Sequence, residues 1–395
     1  MTKAAVGLSQ NLSNHKKAGF EAASQAIEKL EGKQPSILFV FSSIKYRQEE
    51  VLKGIHEAVQ DSAIVVGGSA AGEITSWATV YDGVNVLAIA SDSIRFVTGV
   101  GTGVSQDSFK AGALAAEAVI KNARGEKPEL FILLPDGMTG NGAAIVEGAK
   151  SVLGENAPLI GGSLGDDYLF KKTFEYHQHD VLTDVVVGVG LYGKFAYGFG
   201  INHGWEPVGL PLKVTRANGV KLQEVDGKPA LQIYEDYFGK EASELIKEPL
   251  ARMAYTYPIG MTVEGSDELL IRDPVIANEQ GEISMAAAIL QGTTIRLMIG
   301  DRDKAISAAK TAAKVAKDQL EGAEPKFILM FNCMARNKLL GVRCHEENSG
   351  VSEIIGRDVP MAGFYTYGEQ GPLLGKKDTP AYFHNETMTL LVVGE

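Results

Sequence analysis

The segment Phe331-Asn332-Cys333-Met334-Ala335-Arg336 places a thiol and a guanidinium three residues apart, directly after the apolar run Phe327–Met330. Arginine grips a carboxylate or phosphate through two parallel N–H bonds, so Arg336 is a candidate anion contact. Cys333 would be a nucleophile if Arg336 held it as thiolate. Most cysteines are small buried hydrophobes, however, and no base with an orienting partner is evident beside this one. Further on, Gly363-Phe364-Tyr365-Thr366-Tyr367-Gly368-Glu369 gathers small residues, three aromatic rings and a carboxylate. Glu369 can hold an ammonium group, and Phe364, Tyr365 and Tyr367 can wall a pocket. An arginine and a glutamate facing one cleft would read both charges of a zwitterion, which predicts an amino acid or a derivative as ligand.

Other patterns carry less chemistry. Gly67-Gly68, Gly161-Gly162 and Ala362-Gly363 end apolar runs and are followed by Glu73, Asp166 and Glu369. Small residues there let a ligand approach the backbone; the plainer reading is a turn whose acid bonds local N–H groups. The loop Pro135–Gly142 precedes a helix and can offer N–H groups to an anion, but it lacks the Gly-Lys-Ser/Thr of a P-loop. Gly188, Gly190 and Gly193 form a Gly-x-Gly-x-x-Gly inside a strand and turn, where no helix start can hold a pyrophosphate. His177-x-His179 has no third metal ligand in view. His384 and His345 are possible axial haem ligands, without an attachment motif for either.

These residues need a scaffold, and the chain repeats one. Pro35–Ile74, Pro128–Asp167 and Pro325–Gln370 each run from Pro through an apolar run, a polar loop and an amphipathic stretch to a second apolar run. Ile37–Phe41 is continuously apolar, as in a strand buried on both faces, and Val51, Leu52, Ile55 and Val59 share one helical face. Two parallel strands need such a crossover. Ala-, Lys- and Glu-rich helices precede each unit (Lys17–Leu30, Phe109–Asn122, Lys304–Leu320), each after a short strand (Ala4–Leu8, Ile94–Val100, Thr294–Ile299). A fourth strand closes each (Val84–Ala90, Val185–Leu191, Thr387–Val393) and turns tightly at Ser91–Ser93 or Gly193-Lys194, as in a hairpin.

The fold class expected is therefore α/β, with three clear β-α-β-α-β-β units and mixed sheets. Residues 201–293 would be a diverged copy. The N- and C-terminal strands are expected to meet and pair. The domains expected are 1–200, holding two units, and 201–395, holding the diverged insert and a third unit over 294–395.

Composition bounds the function. The 395 residues include 38 Lys+Arg and 49 Asp+Glu, a net charge of −11, which disfavours nucleic acid or an anionic membrane as partner. No apolar run reaches the ~18–20 residues of a membrane span, and the N-terminus lacks a signal peptide's apolar stretch. Two cysteines suit a reduced, cytoplasmic setting.

The motifs ILFVFS, VVGGSAAGEI, YPIGM, LLIRDP, FNCMARNKLLG, GFYTYGEQGP and FHNETMTLLVV, in that order from about residue 35 to the end, resemble the FIST family, with its N-terminal and C-terminal FIST domains. The resemblance implies a sensory, non-enzymatic module that binds a small ligand, with amino acids proposed as ligands; some members look like haem proteins that sense nitric oxide. The positions implied here are Cys333, Arg336, Gly363, Phe364, Tyr365, Gly368, Glu369, His384 and Asn385. No output domain is visible in 1–395, so a signal would pass to a partner protein such as a kinase or cyclase. The alternatives are a haem cofactor on His384 or His345, for nitric oxide, and a hydrolase using Cys333.

Overall fold

The computed structural model describes the chain apart from residues 61, 240–243, 245, 246, 248 and 249. The first unit runs β1 (Lys3–Ser9), α1 (His15–Glu28), β2 (Ile37–Ser43), α2 (Gln48–Val59), β3 (Ile64–Ala70), β4 (Glu73–Thr75), β5 (Thr79–Val80) and β6 (Val84–Ala90). The second runs β7 (Ile94–Thr102), α3 (Ser108–Asn122), β8 (Leu130–Pro135), α4 (Gly142–Leu153), β9 (Leu159–Gly162), β10 (Glu175–His177), β11 (Asp180–Leu182) and β12 (Val185–Gly193). The third opens with β13 (Ala196–Asn202) and is then interrupted. The insert carries β14 (Glu206–Pro207), β15 (Leu212–Asn218), β16 (Lys221–Val225), β17 (Lys228–Pro229), β18 (Ile259–Thr262), β19 (Leu269–Arg272), β20 (Pro274–Ala277), β21 (Ile283–Met285) and β22 (Thr294–Ile299). The unit resumes with the helix Arg302–Asp318, β23 (Pro325–Cys333), the helices Met334–Leu340 and Cys344–Ile355, then β24 (Met361–Thr366), β25 (Glu369–Pro372), β26 (Ala381–His384) and β27 (Met388–Gly394).

Each unit builds one sheet in the same order: β1-β6-β2-β3, β7-β12-β8-β9 and β13-β27-β23-β24. The inner pairs β2/β3, β8/β9 and β23/β24 are parallel, as the crossover helices require. Alternation explains the unbroken apolar runs. Phe39 and Phe41 point into a core shared with Ile132, Leu134, Phe327 and Phe331 of the other sheets. Leu38 and Val40 point outward and are covered by α1 and α2. The three sheets thus face one another, with helices outside.

The units also exchange strands in a ring. The hairpin β4–β5 of the first unit pairs with β24 of the third. The hairpin β10–β11 of the second pairs with β3 of the first. The strand β25 of the third, hairpinned with β26, pairs with β9 of the second.

The α/β class and mixed sheets are as expected. Four details differ. The turns at Ser91–Ser93 and Gly193-Lys194 are not hairpins: they carry the chain from one sheet into the next, since β6 and β7, and β12 and β13, lie in different sheets. The third unit's first strand is β13, not Thr294–Ile299. Residues 203–300 are not a diverged copy; their pairings are all antiparallel, in a sheet of their own. The termini meet without strand pairing: the Thr2 N–H and hydroxyl donate to the Glu395 carboxylate at 2.7 and 2.6 Å, whereas β1 pairs with β6, and β27 with β13 and β23.

Candidate functional site

Each exchanged hairpin begins with a glutamate at the carboxyl edge of the sheet it joins. Glu73 lies opposite Phe364, Glu175 opposite Gly68, and Glu369 opposite Gly162. All three are buried, and burial pushes all three carboxyls up, Glu369 to about 8. The second member is therefore Glu175 and not Asp166. Asp166 takes the plainer role: its carboxylate accepts the N–H groups of Phe170, Lys171 and Lys172 at 2.9, 2.6 and 3.0 Å and the Tyr367 hydroxyl at 2.6 Å.

The first two edges are served in part by their own chain, although Glu73 Oε1 and both Glu175 oxygens are buried without a donor. At the first, the Gly83 N–H donates to Glu73 at 3.0 Å, Ser43 donates to Asp167 at 2.6 Å, and Lys45 pairs with Asp82. At the second, Asp136 accepts the N–H groups of Met138, Thr139 and Asp184, and Asp184 accepts that of Ser105. Burial, with Asp136 and Asp184 close by, pushes the Glu175 carboxyl well above the usual carboxylate range.

The third edge differs. The insert covers it and brings Asp273, just past β19, against Glu386, just before β27. The two carboxyls are neighbours and act on each other. Burial raises Asp273 to about 6 and Glu386 well above the carboxylate range. Both oxygens of Glu386, Asp273 Oδ1, Asn385 Oδ1 and Asn332 Oδ1 are buried without a donor from the protein. Each such acceptor costs about 1–3 kcal/mol if it stays unmatched.

The positive charges nearby are turned elsewhere. Arg336 is fully buried and uses all five N–H groups: Nε on Glu347 at 2.9 Å, Nη2 on Glu347 and on the Ala305 carbonyl (2.8 Å), Nη1 on the His203 and Glu386 carbonyls. The indole of Trp205 lies 5.4 Å from its guanidinium carbon. Arg272 donates to the carbonyls of Ala288, Ile271 and Phe383 at 2.9–3.0 Å.

The expected site residues divide accordingly. In this structure Arg336 has no N–H left to offer a ligand carboxylate, because Glu347 and three carbonyls use them all. Phe364 is core, stacked on Phe41 at 4.4 Å and edge-on to Phe331. Tyr365 is buried in the layer between the third sheet and its helices. Gly363 serves strand packing: a Cβ there would fall 2.0 Å from the Met330 carbonyl oxygen, as at Gly67 and Gly161 against Val40 and Leu133. Cys333, Glu369, Tyr367 and Asn385 do belong to the third edge. Glu369 accepts the Thr366 hydroxyl and the Thr387 N–H (3.1 Å). Burial, with Glu369, Asp273 and Glu386 close by, pushes the Cys333 thiol up, the opposite of what a nucleophile needs.

Asp273 and Glu386 escaped sequence reasoning, although both stand in quoted motifs, LLIRDP and FHNET. The readable signal was a charge inside an apolar strand pattern. For haem the residues present do not fit. His384 is buried with Nε2 at 2.8 Å from the Gly371 carbonyl, and His345 is an exposed helix residue with Nδ1 2.8 Å from the Val342 carbonyl. Two surface concavities, of about 480 and 360 Å³, lie elsewhere: one at Ser91–Phe96 and Tyr192, the other between Arg47, Leu169 and Lys171. Among the described residues no group of three or more His, Cys, Asp or Glu could hold a metal ion, His177 and His179 included.

Among known proteins, the chain is 26% identical over 380 residues to an uncharacterised protein of Mycobacterium bovis, covering 91% of this chain and 92% of the relative. An uncharacterised protein of Mycobacterium tuberculosis is 25% identical over 371 residues, with the same coverage. One from Methanocaldococcus jannaschii is 29% identical over 192 residues, 46% of this chain and 36% of that one. Solved structures give loose likenesses that carry no argument: a chorismatase (11% identity, TM-score 0.36, covering 93% of this chain and 95% of that one) and a cyanuric acid hydrolase from A. caulinodans (10%, 0.31, 100% and 99%). Residues 36–228 match the FIST N domain and 230–372 the FIST C domain, so the chain belongs to the FIST family.

Proposed function

We propose that this chain is a cytoplasmic sensor that binds a small molecule, an amino acid or a derivative, at the third edge and reports it to a separate signalling protein such as a kinase or cyclase. FIST domains are sensory modules that bind small ligands. The observation that carries the placement is the set of orphaned acceptors on Asp273, Asn385 and Glu386, where the insert closes over the edge. Hydrogen-bond donors of a ligand would answer them, and the high-lying Cys333 thiol favours binding over turnover. No helix among the described residues is long and apolar enough to cross a membrane.

The strap 166–172 offers a route outward. Tyr168 lies under the Lys338 ammonium (4.6 Å) and Phe170 stacks on Tyr367 (5.0 Å), while Leu169 and Phe170 are half exposed to a partner. Asp167, Tyr168 and Phe170 all hold left-handed φ values, +53°, +65° and +53°, a conformation that needs its surroundings to maintain it.

Mass spectrometry of small molecules released from freshly purified protein, with calorimetry against an amino-acid panel, tests the reading. A released or titrated ligand whose affinity falls in Asp273→Asn supports it. Absence of any bound or binding amino acid or derivative overturns it. The absorbance spectrum of the same sample is expected to lack a Soret band.

A further inference from the structure

The third edge has a chemical bias that the family reading does not supply. Its unmatched groups are mostly acceptors: Glu386 Oε1 and Oε2, Asp273 Oδ1, Asn385 Oδ1 and Asn332 Oδ1, against the indole N–H of Trp205 as a donor. Glu386 is completely buried, and Asn332 and Asn385 hardly less so. Asn332 and Glu386 adjoin one guanidinium: Arg336 reaches Glu347, which also accepts the Asn332 amide at 2.8 Å, and on its other side the Glu386 backbone carbonyl. The two amide oxygens are neutral, so they report a missing donor independently of the acids. The guanidinium groups beside them are largely committed: Arg336 spends all five N–H groups on Glu347 and carbonyls, and Arg272 places Nε and Nη1 on three carbonyls.

Resting on the ligand site proposed above, we infer that this edge recognises an organic cation, an alkylammonium or guanidinium head, whose N–H donors answer the unmatched oxygens of Asp273, Glu386, Asn332 and Asn385. A ligand carboxylate is not required. The bond change is simple: the carboxyl O–H breaks, its proton leaves to solvent, and N–H donors of the cation take the freed oxygens.

The surrounding charges fit this exchange. Asp273 is faced by Arg272 and Glu386; Glu386 by Asp273, Arg336 and Glu369. Tyr168 and Tyr234 face both carboxyls from the strap and the insert, and Cys333 faces them from β23. The tyrosines and the thiol are neutral at pH 7, Arg336 is balanced by Glu347, and Arg272 by one charge on the pair. The empty site is then close to neutral, and an arriving cation adds a charge that loss of one proton cancels. Glutamine mimics the neutral Glu386, so Glu386→Gln should leave the fold intact.

Calorimetry on the full chain with agmatine and cadaverine, against 5-aminopentanoate and glutarate, tests this. Titrations at pH 6, 7 and 8 in two buffers of different ionisation enthalpy count the protons released. The amines are expected to bind without a carboxylate, to release a proton, and to tighten as pH rises. Glu386→Gln should weaken them at least tenfold and abolish the proton release; Glu175→Gln, a buried carboxyl at another edge, should change neither. Asp273→Asn provides a second variant if a thermal melt shows Glu386→Gln unfolded. Binding of amino acids or 5-aminopentanoate but not of the amines, or amine binding without proton release, overturns the inference and leaves the ligand site standing. Amine binding unaffected by both variants places the cation elsewhere and overturns it too. If neither probes nor amino acids bind, the site itself is wrong.

Discussion

Arg336 and Glu347 form an ion pair from which water is wholly excluded. Removing one partner strands the other charge, so Arg336→Ala is expected to cost about 3–5 kcal/mol by urea unfolding. Arg336→Met with Glu347→Leu should cost far less, a contrast that a ligand contact at the surface would not produce. Glu369 makes the complementary case. Its carboxyl titrates at about 8 in the fold, against roughly 4.3 in an unfolded chain. Between those values the unfolded state gives up a proton that the folded state keeps, so stability falls as pH rises through the window. The slope is about 1.4 kcal/mol per pH unit for a single group. Glu73, Glu175 and Glu386 shift in the same direction. Urea midpoints measured from pH 5 to 8 should therefore decline, and Glu369→Gln should make the decline shallower. Midpoints that rise over this range would mean the buried carboxyls are ionised and paired.

The first helix of each unit opens on the same device. Asn14, Asp107 and Asp301 each accept the backbone N–H three residues on, at 2.9–3.0 Å. Asp301→Ala should cost about 1 kcal/mol, visible as a lower urea midpoint. Gly67 is far less forgiving: its φ is +140° and a Cβ would lie 1.8 Å from the Val40 carbonyl oxygen. Gly67→Ala should cost about 3 kcal/mol or more, because the adjacent parallel strand must move. Features of this kind are local, and they explain what could be read from the residues. Apolar runs, helix faces and the repeat gave the elements. Which strands would pair lay beyond reach, since β4, β10 and β25 find partners in other units and nothing in a three- or four-residue strand names its neighbour. The same gap misplaced the site. Phe364 and Tyr365 look like pocket walls until β24 proves to be central, between β23 and β4, and Glu386 looks incidental until the insert sets Asp273 against it.

The ring of exchanged hairpins makes the units interdependent. Cutting between β12 and β13, after Gly193, would leave β9 without β25 and β4 without β24. It would also expose the shared core, where Phe41 meets Phe364 and Leu134 lies with Phe331. A fragment of residues 1–193 is therefore expected to lack a cooperative thermal transition and to aggregate, with 194–395 no better, while the two co-expressed should associate and melt as one. Size-exclusion chromatography and calorimetry of the fragments decide it; a sharp transition in 1–193 alone would show that each half closes its own sheets. Interdependence also gives the sensor its reach. Tyr367, at the third edge, donates its hydroxyl to Asp166 of the second unit, and the strap beyond Asp166 runs back to β10, which pairs with the first. A ligand at the proposed site would thereby act on strands of all three sheets. On that argument the Tyr367→Phe variant should keep its ligand affinity within about threefold, yet lose hydrogen-exchange protection across residues 166–177 in both bound and free protein.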